Sequence, residues 1–272
     1  MKILITGYKG FIGQNMVNAL KDEHELTFFE WEDALPDLTG HDWCIHLGAI
    51  SSTTESDVDK VLRQNYDFSR YLLNRCNDAG VNLQYASSAS VYGNNTPCSE
   101  HSAVSPLTPY AWSKLLFERY VEGLRHTWKI KVQGFRYFNV HGPFEDHKGD
   151  QASPFHKFEK QAKETGIIKL FEGSKNYFRD FVHVDQVIDV HKKFFNIDKS
   201  GIWNLGTGSY MSFYSVAQEI ADKHNAKIEY IPMPSIIASR YQRFTKADVT
   251  LLNKTLDGDD TSLTTMPVPI TP

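Results

Sequence analysis

The chain has 272 residues, of which 41% are hydrophobic and 23% are charged, and its net charge is −4 at pH 7. This length and hydrophobic content are enough for one large α/β domain that carries a smaller lobe. The 29 basic residues form no basic stripe, which argues against nucleic acid as a partner. No apolar run approaches the roughly 18 residues of a membrane span, and Met1 leads directly into a strand. We therefore expect a cytoplasmic protein without membrane attachment.

A glycine-rich turn follows the first predicted strand, Lys2-Ile3-Leu4-Ile5-Thr6. Its glycines, Gly7, Gly10 and Gly13, have the spacing G-x-x-G-x-x-G, and a helix is predicted from about Phe11 to Lys21. Glycine at these positions permits a tight turn, a close approach of backbone to a pyrophosphate and close helix packing, while the helix N-terminus favours anionic phosphates. The pattern predicts a dinucleotide site, and its alternative is a glycine triplet that serves only as a turn.

The second apolar run, Leu26 to Phe29, ends in Glu30, 17 residues beyond Gly13. An acidic residue at about this distance can bind the adenosine ribose and favours NAD. Lys9, within the glycine turn, could instead meet the 2′-phosphate of NADP. The sequence thus leaves NAD and NADP both open, and either residue could also be a plain surface charge.

Further predicted strands alternate with helices along the chain, which indicates an α/β fold with a parallel sheet. The carboxyl ends of such strands meet at one edge, where Gly7, Ser88 and Asn139 would lie together. Three cysteines, Cys44, Cys76 and Cys98, lack the spacing of a metal site and are interpreted as reduced thiols. The predicted strands are Trp43 to Ala49, Leu83 to Ser88 and Val132 to Tyr137, and the helices are Val58 to Ala79 and Trp112 to Arg125.

Tyr110 and Lys114 lie one turn apart on a segment with helical periodicity, so their side chains share one face. A Tyr-x-x-x-Lys pair alone is weak evidence, because such pairs occur by chance, and the alternative is an ordinary surface pair. Next to a dinucleotide turn it indicates a redox site. We expect the ammonium and the hydroxyl of Ser88 to stabilise the phenolate and lower the pKa of Tyr110.

These motifs resemble the extended short-chain dehydrogenase/reductases that modify nucleotide sugars, and within that group the ADP-L-glycero-D-manno-heptose 6-epimerases. The resemblance implies a Rossmann-type doubly wound parallel sheet with a smaller C-terminal substrate lobe. Residues 1–140 with a returning segment at about 180–205 would form the dinucleotide-binding domain, and residues 141–179 and 206–272 the smaller lobe. The resemblance is carried by the segments GYKGFIG, HLGA, YASSASVYG, YAWSK, FRYFNVHGP, SSTTE, HKG, LFEGS, RDFV, NLGTG and RYQ.

The resemblance also implies the chemistry. C6 of a heptose would be oxidised to a ketone with a bound nicotinamide, NADP or NAD, and then reduced from the opposite face. Tyr110 would move the hydroxyl proton, Lys114 would hold the nicotinamide ribose and tune Tyr110, and Ser88 would bind the oxygen. Lys148 matches a second acid/base residue that serves the other face. Its alternative is a solvated loop lysine.

Binding residues are carried over from the same resemblance. Arg179 is suited to a diphosphate, because a guanidinium pairs with phosphate oxygens. Phe171 would pack on the adenine or, alternatively, belong to the core. The implied cofactor contacts are Gly7, Gly10, Phe11, Ile12, Gly13, Glu30, Trp31, Leu47, Gly48, Ala49, Ile50, Ser51, Asn65, Lys114 and Val140. The implied substrate contacts are Asn139, His156, Phe171, Glu172, Gly173, Ser174, Arg179 and Tyr241, and no metal ligand is implied.

The chain departs from the family pattern in three places. The segment from Glu30 to Trp43 is short, which predicts the loss of a strand and weaker cofactor binding. Asp150 replaces a serine close to Lys148, which predicts an altered substrate choice or ionisation of that lysine. The polar tail from Thr261 to Pro272 replaces a final amphipathic helix, which leaves the smaller lobe short.

Other functions are compatible with the sequence. A different nucleotide-sugar epimerase or a dehydratase is the nearest alternative, although Ser87-Ser88-Ala89 lacks the acidic residue that a dehydratase usually has beside the serine. A catalytically idle protein with the same fold is another, and the intact Ser88, Tyr110 and Lys114 argue against it. By analogy with the fold, we expect a homo-oligomer through the helices near Tyr66 to Arg75 and Tyr110 to Val121.

Overall fold

The computed structural model describes residues 1–234, 238 and 241–258. Twelve strands and eight α-helices are named in chain order among these residues. The strands are β1 Lys2–Thr6, β2 Glu25–Phe29, β3 Trp43–His46, β4 Asn82–Ser88, β5 Val132–Tyr137, β6 Asn139–His141, β7 Ile167–Phe171, β8 Phe178–Arg179, β9 Phe181–His183, β10 Gly201–Leu205, β11 Met211–Ser212 and β12 Lys227–Ile231. The helices are α1 Phe11–Leu20, α2 Val58–Val61, α3 Phe68–Ala79, α4 Pro109–Gly123, α5 Pro154–Thr165, α6 Val184–Phe194, α7 Phe213–His224 and α8 Thr250–Asp257.

Six parallel strands form the central sheet in the order β10-β5-β4-β3-β1-β2. The strand order reverses at β1, because β2 pairs with one side of β1 and β3 with the other. Every residue of β3 and of β5 is buried, as expected for strands covered on both faces. The predicted α/β, Rossmann-type doubly wound sheet is therefore confirmed, and β1 ends at the point of reversal where ligands bind in such sheets.

The capping residue before α4 determines where this helix begins. Thr108 Oγ1 accepts a hydrogen bond from Ala111 N at 3.2 Å and Pro109 occupies the first turn, so α4 begins three residues before the predicted Trp112. The predicted helix from Val58 to Ala79 is continuous, with a π-helical turn at Leu62–Asp67 between α2 and α3. The predicted strand from Trp43 to Ala49 is shorter than expected: β3 ends at His46, and Leu47 N makes one further hydrogen bond to the carbonyl of Thr6 at 3.2 Å.

The connection between β2 and β3 explains why the sheet is narrow. Residues 30–42, all of them described, contain neither helix nor strand, so β2 is the edge of the sheet. The expected loss of a strand in this segment is confirmed. Its predicted effect on cofactor affinity stays a prediction.

A second layer of structure lies beyond the sheet. Strands β7 and β12 pair in parallel, and helices α5 and α7 cover them through a cluster that includes Phe158, Leu170 and Val216. Helix α8 does not join this layer. Its Leu252 packs in the cluster of the large sheet, and the indole Nε1 of Trp203 donates to Thr255 Oγ1 at 3.0 Å. This differs from the predicted assignment of the whole segment 206–272 to the smaller lobe.

All three cysteines are buried and free, and burial raises the pKa of the Cys44 thiol well above its usual range. The tail Thr261 to Pro272 and Arg240 lie outside the described residues. Among the helices of the described ranges, none is both long and apolar enough to cross a membrane.

Candidate active site

The glycine turn is packed so closely that side chains have no room. A Cβ at Gly13 would lie 2.1 Å from the carbonyl oxygen of Gly7, and a Cβ at Gly7 would lie 2.5 Å from the backbone nitrogen of Gly48. Gly7 also has a positive φ of +71°, which glycine adopts without strain. Gly10 precedes α1, so the free N–H groups of the helix point out of a turn made of backbone alone. This cradle fits the pyrophosphate of a dinucleotide.

A cavity of about 140 Å³ opens beside this turn at the carboxyl ends of β1, β2 and β3. Six of the predicted cofactor residues line it, which are Gly7, Glu30, Trp31, Gly48, Ala49 and Ile50. Gln64 and Phe68 line the same cavity and were missed by sequence reasoning. Both lie in the helical stretch after α2, which no local motif connects to the glycine turn.

Glu30 and Lys9, the two residues that bear on the choice between NAD and NADP, are joined by a hydrogen bond from the Lys9 backbone to the Glu30 side chain. The carboxylate of Glu30 accepts a hydrogen bond from Lys9 N at 2.8 Å, whereas the Lys9 ammonium lies 5.4 Å from the ring centroid of Tyr8. The structure thus brings the acidic residue to the edge of the cavity and holds it there. Lys9 contributes its backbone to that arrangement and is exposed.

Asn65 braces the other wall of the cavity. Its side chain exchanges hydrogen bonds with both the N–H and the carbonyl of Ile50, at 2.8 and 3.0 Å, and donates to Ser113 Oγ at 3.0 Å. Ser113 in turn donates to the carbonyl of Tyr110 at 2.7 Å. Asn65 therefore connects the segment after β3 to the helix that carries Tyr110 and Lys114. The other predicted cofactor residues nearby are Ile12, Leu47 and Val140, which pack together, and the exposed Ser51.

Ser88, Tyr110 and Lys114 come together where β4 ends and α4 begins. The Ser88 side chain lies close enough to the Tyr110 phenol to act against part of the rise in its pKa. The Lys114 ammonium lies 5.8 Å from the Tyr110 ring centroid and donates to the carbonyl of Ala86 at 2.8 Å. This arrangement joins a hydroxyl donor, a phenol and a cation in one site, which suits proton transfer at a substrate hydroxyl.

The ionisation of the site differs from the sequence-based expectation. Burial raises the pKa of Tyr110, and the Ser88 side chain only partly offsets that rise, so the predicted lowering is wrong for this state of the protein. The ammonium that was expected to lower it is directed to Ala86. Burial also lowers the pKa of Lys114 to about 8, while the negative charge of Glu118 acts in the opposite direction.

Lys148 lies on the loop after β6, with its ammonium 4.8 Å from the ring centroid of Phe11 at the start of α1. It is also 3.4 Å from Glu145 Oε2. The structure thus brings Lys148 to the first residue of the helix that follows the glycine turn. Asp150 is exposed, and its carbonyl accepts from the Lys157 ammonium at 3.2 Å.

A second group of predicted residues surrounds Arg179. Its buried guanidinium lies 5.1 Å from the ring centroid of Tyr241 and 5.4 Å from that of Phe213, and it donates to the carbonyls of Phe178 and Gln242. Burial lowers the pKa of Arg179. The side-chain amide of Gln242 donates to the carbonyl of Gly93, which joins this group to the turn that follows Ser88.

The four predicted residues from Phe171 to Ser174 form one tight turn after β7. Ser174 donates its hydroxyl to the carbonyl of Phe171, Gly173 has a φ of +81°, and Glu172 N donates to Ile231 O at 2.9 Å. Phe171 is half-buried and Glu172 is exposed. Asn139 lies at the start of β6, where its N–H donates to the carbonyl of Asp180 at 3.0 Å.

His156 is placed apart from the glycine turn. It lines a cleft of about 450 Å³ that also includes His141 and Glu159, and its Nε2 lies 3.5 Å from Asp146 Oδ1. The structure therefore does not bring His156 into the cavity that Gly7 and Glu30 share.

Sequence reasoning missed three buried charged groups that support the site. Glu118, on α4, pairs with Arg136 of β5. Asp180 accepts from four donors, and its carbonyl accepts from Asn139 N. Glu145 lies next to the Lys148 ammonium. Each is a charged residue within or next to apolar sequence, and this was the signal available. Its partners are distant in sequence or in a loop without periodicity, so the pairing itself could not be predicted.

Comparison with known proteins shows the family to which the chain belongs. Residues 3–206 match the model of the NAD dependent epimerase/dehydratase family. The chain is 38% identical to the ADP-L-glycero-D-manno-heptose-6-epimerase of Brachyspira hyodysenteriae over 284 residues, 91% of this chain and 89% of that protein. The crystal structure of the Helicobacter pylori ADP-L-glycero-D-manno-heptose-6-epimerase has a TM-score of 0.82 and 26% identity, and covers 94% of this chain and 90% of its own.

A further similar structure is MoeE5 in complex with UDP-glucuronic acid and NAD, with a TM-score of 0.80, 25% identity and coverage of 94% of this chain and 93% of its own. The resemblance inferred from the motifs is therefore confirmed. The match spans the central sheet, the glycine turn and the helix that carries Tyr110 and Lys114. The chain belongs to the NAD dependent epimerase/dehydratase family.

Proposed function

We propose that this enzyme is an ADP-glycero-manno-heptose 6-epimerase that inverts C6 by transient oxidation and re-reduction. The observation that carries the proposal is the placement of two acid/base groups on separate parts of the chain. Tyr110 lies on α4 beside Ser88 at the end of β4, and Lys148 lies on the loop after β6 against Phe11. The 38% identity to the Brachyspira hyodysenteriae epimerase supports the choice of substrate.

A nicotinamide cofactor, NADP or NAD, supplies the reversible oxidation of C6 when it is bound. Gly7, Gly10 and Gly13 would hold its pyrophosphate, and Glu30 its adenosine ribose. Lys114 would bind the nicotinamide ribose. The remaining proposed contacts are Phe11, Ile12, Trp31, Leu47, Gly48, Ala49, Ile50, Ser51, Asn65 and Val140.

The chain's own residues move the proton. Tyr110 removes or returns the proton of the C6 hydroxyl on one face, and Ser88 donates a hydrogen bond to the oxygen that becomes the carbonyl. After the ketone turns over in the pocket, Lys148 returns a proton on the other face. One base at one position serves a single face well, so inversion needs the second group.

Arg179 would bind the diphosphate of the substrate, because its guanidinium is held in place by two carbonyls and two aromatic rings. The turn after β7 would contact the nucleotide. The other proposed substrate contacts are Asn139, His156, Phe171, Glu172, Gly173, Ser174 and Tyr241. We also propose a cytoplasmic location and a homo-oligomer that pairs α3 and α4 of neighbouring copies.

The test is an incubation of purified protein with ADP-D-glycero-D-manno-heptose and no added cofactor, with inversion at C6 followed by NMR. We expect inversion by the wild type, with losses of about 10²-fold or more in Tyr110→Phe and in Lys148→Met. Tyr120→Phe is the matched control, because Tyr120 lies on the same helix and its hydroxyl pairs only with the surface residue Asn74 among the contacts described.

No inversion by the wild type, even with added NAD or NADP, would contradict the heptose substrate. A panel of other nucleotide sugars would then identify a different epimerase or a dehydratase. If the protein converted none of these nucleotide sugars, it would be a catalytically idle protein with the fold of the family.

A further inference from the structure

The loop that carries Lys148 contains a fully buried carboxylate. Glu145 is 0% exposed, although its neighbours on both sides, Phe144 and Asp146, are exposed to solvent. A buried carboxylate is unfavourable unless donors surround it. The donors around Glu145 therefore show what this residue holds together.

Three of those donors belong to the two ends of the loop. Glu145 Oε1 accepts from Gly142 N at 3.2 Å and from Ser153 Oγ at 2.6 Å, and Oε2 accepts from Ser153 N at 2.6 Å. The carboxylate thus joins the beginning of the loop to the start of α5. Between these points the chain forms short 3₁₀ turns interrupted at Gly149, whose φ is +50°.

The fourth donor is the ammonium of Lys148, which lies 3.4 Å from Glu145 Oε2. On its other side the same ammonium faces the Phe11 ring at 4.8 Å. The loop is also attached to α1, because Asn15 Nδ2 donates to the carbonyl of Pro143 at 2.9 Å. Lys148 is therefore held between a buried anion and an aromatic ring at the start of the cofactor-binding helix.

The backbone of this loop has an unfavourable conformation at one residue, which the hydrogen bonds of Glu145 can stabilise. Phe144 has a φ of +69°, a left-handed conformation that is unfavourable for a residue with a bulky side chain. The hydrogen bonds of the adjacent Glu145 hold the backbone in that conformation. Without them, the loop would keep Asn15 as its attachment to α1, and the Lys148 side chain would lose its anionic partner.

We propose that Glu145 is the positioning residue of Lys148: it closes the loop around itself and fixes the lysine ammonium at the face of the substrate opposite Tyr110. The inference rests on the proposed role of Lys148 in epimerisation. Glu145 is buried beneath the loop and acts through the lysine.

A double-mutant cycle tests this coupling, with the variants Glu145→Gln, Lys148→Met and the two combined. Glutamine keeps the shape and one acceptor oxygen but removes the charge. We expect Glu145→Gln to lower kcat about tenfold with KM nearly unchanged, and the double variant to be no slower than Lys148→Met alone, because the two residues act as a unit.

The structural role of the loop is measured separately. Ser153→Ala removes the hydroxyl that donates to Glu145 and that caps α5 by accepting from His156 N, and it leaves the ion pair with Lys148 in place. It should lower the melting temperature with little change in kcat. Glu145→Asp keeps the charge and should recover part of the activity lost in Glu145→Gln. If Glu145→Gln does not fold, Glu145→Asp replaces it in the double-mutant cycle with Lys148→Met.

The outcomes separate the two proposals. If the losses of Glu145→Gln and Lys148→Met multiply in the double variant, Glu145 does not act through Lys148 and the inference is wrong. If Lys148→Met epimerises at the wild-type rate, the proposed function itself fails, and the inference fails with it. A double variant equal to Lys148→Met supports both.

Discussion

Glu118 and Arg136 form a fully buried ion pair that involves the helix of Tyr110 and Lys114. Arg136 Nη2 and Nε donate to the two carboxylate oxygens at 2.7 and 3.0 Å, and the side chains are 0% and 1% exposed for Glu118 and Arg136 respectively. Glu118 follows Lys114 by one helical turn and also accepts a hydrogen bond from the Ser87 hydroxyl, next to Ser88. The pair therefore connects the helix of the Tyr-x-x-x-Lys motif to the strand of the serine.

Removal of one partner of this pair should destabilise the fold strongly. Glu118→Ala leaves the Arg136 guanidinium in the interior without its carboxylate, and we expect a loss of about 3–5 kcal/mol in the free energy of unfolding by urea. Replacement of both residues by apolar ones should cost less. Glu122→Ala, which breaks the surface pair with Arg125 on the same helix, should cost under about 1 kcal/mol. Equal losses at the two sites would contradict this account.

The alkaline limb of activity should follow Lys114. Burial lowers the pKa of Lys114 to about 8, so its ammonium is present below that pH and is lost as the pH rises through it. We expect kcat/KM to fall above pH 8 by about tenfold per unit. In Lys114→Arg the cation persists, because a guanidinium has a pKa above about 12. The residual activity of that variant should then lack this limb, and a limb unchanged by the substitution would assign it to another group.

Glu30 should make the protein prefer NAD to NADP. Its carboxylate lines the cavity and is held there by Lys9 N, so a 2′-phosphate would be repelled. We expect Glu30→Gln to shift the ratio of the two dissociation constants toward NADP by about tenfold, which corresponds to roughly 1.4 kcal/mol. Lys9→Ala keeps the backbone hydrogen bond and should leave NAD affinity unchanged. A wild type that binds NADP more tightly, and loses this preference in Lys9→Ala, would favour the lysine as the determinant.

The glycine turn should tolerate no side chain at Gly13. An alanine Cβ there would lie 2.1 Å from a backbone oxygen of Gly7, so the turn must move. We expect Gly13→Ala to weaken cofactor binding at least tenfold and to lower the melting temperature. Gly123→Ala is the control, since a Cβ at this helical position meets no atom within 4 Å and should be neutral or stabilising by under about 1 kcal/mol. Calorimetry with each cofactor measures both effects.

The parts of the site that the sequence predicted are those encoded locally. A short strand, three spaced glycines and a helix make the cofactor turn within a dozen residues, and Tyr110 and Lys114 share a helix face by spacing alone. The pKa of Tyr110 was wrong in direction because it depends on burial by the whole fold. The loss of a strand after β2 was predicted, because the segment between Glu30 and Trp43 is shorter than in the family.

Pairings between distant segments could not be predicted from the sequence. Glu118 lies on α4 and Arg136 on β5, and no sequence pattern around either residue indicates that the two pair. His156 was predicted as a substrate contact, which stays a prediction, and its place in a cleft with Gly142 and Glu145 could not be read from its own segment. In each case the outcome depends on how helices pack on the sheet, which periodicity does not specify.

Asp180 has a consequence for how the molecule unfolds. Its buried carboxylate accepts from Thr207 N and Oγ1, Gly208 N and Ala247 N, so one side chain joins the segments that follow β8, β10 and the approach to α8. The strands and helices beyond the sheet come from stretches of chain separated by β9, α6 and β10. Of these, β10 belongs to the central sheet and β9 pairs with β6, so the outer layer is connected through elements that lie elsewhere in the fold. Heating should therefore melt the described core in a single cooperative transition, with no separate unfolding of the outer layer.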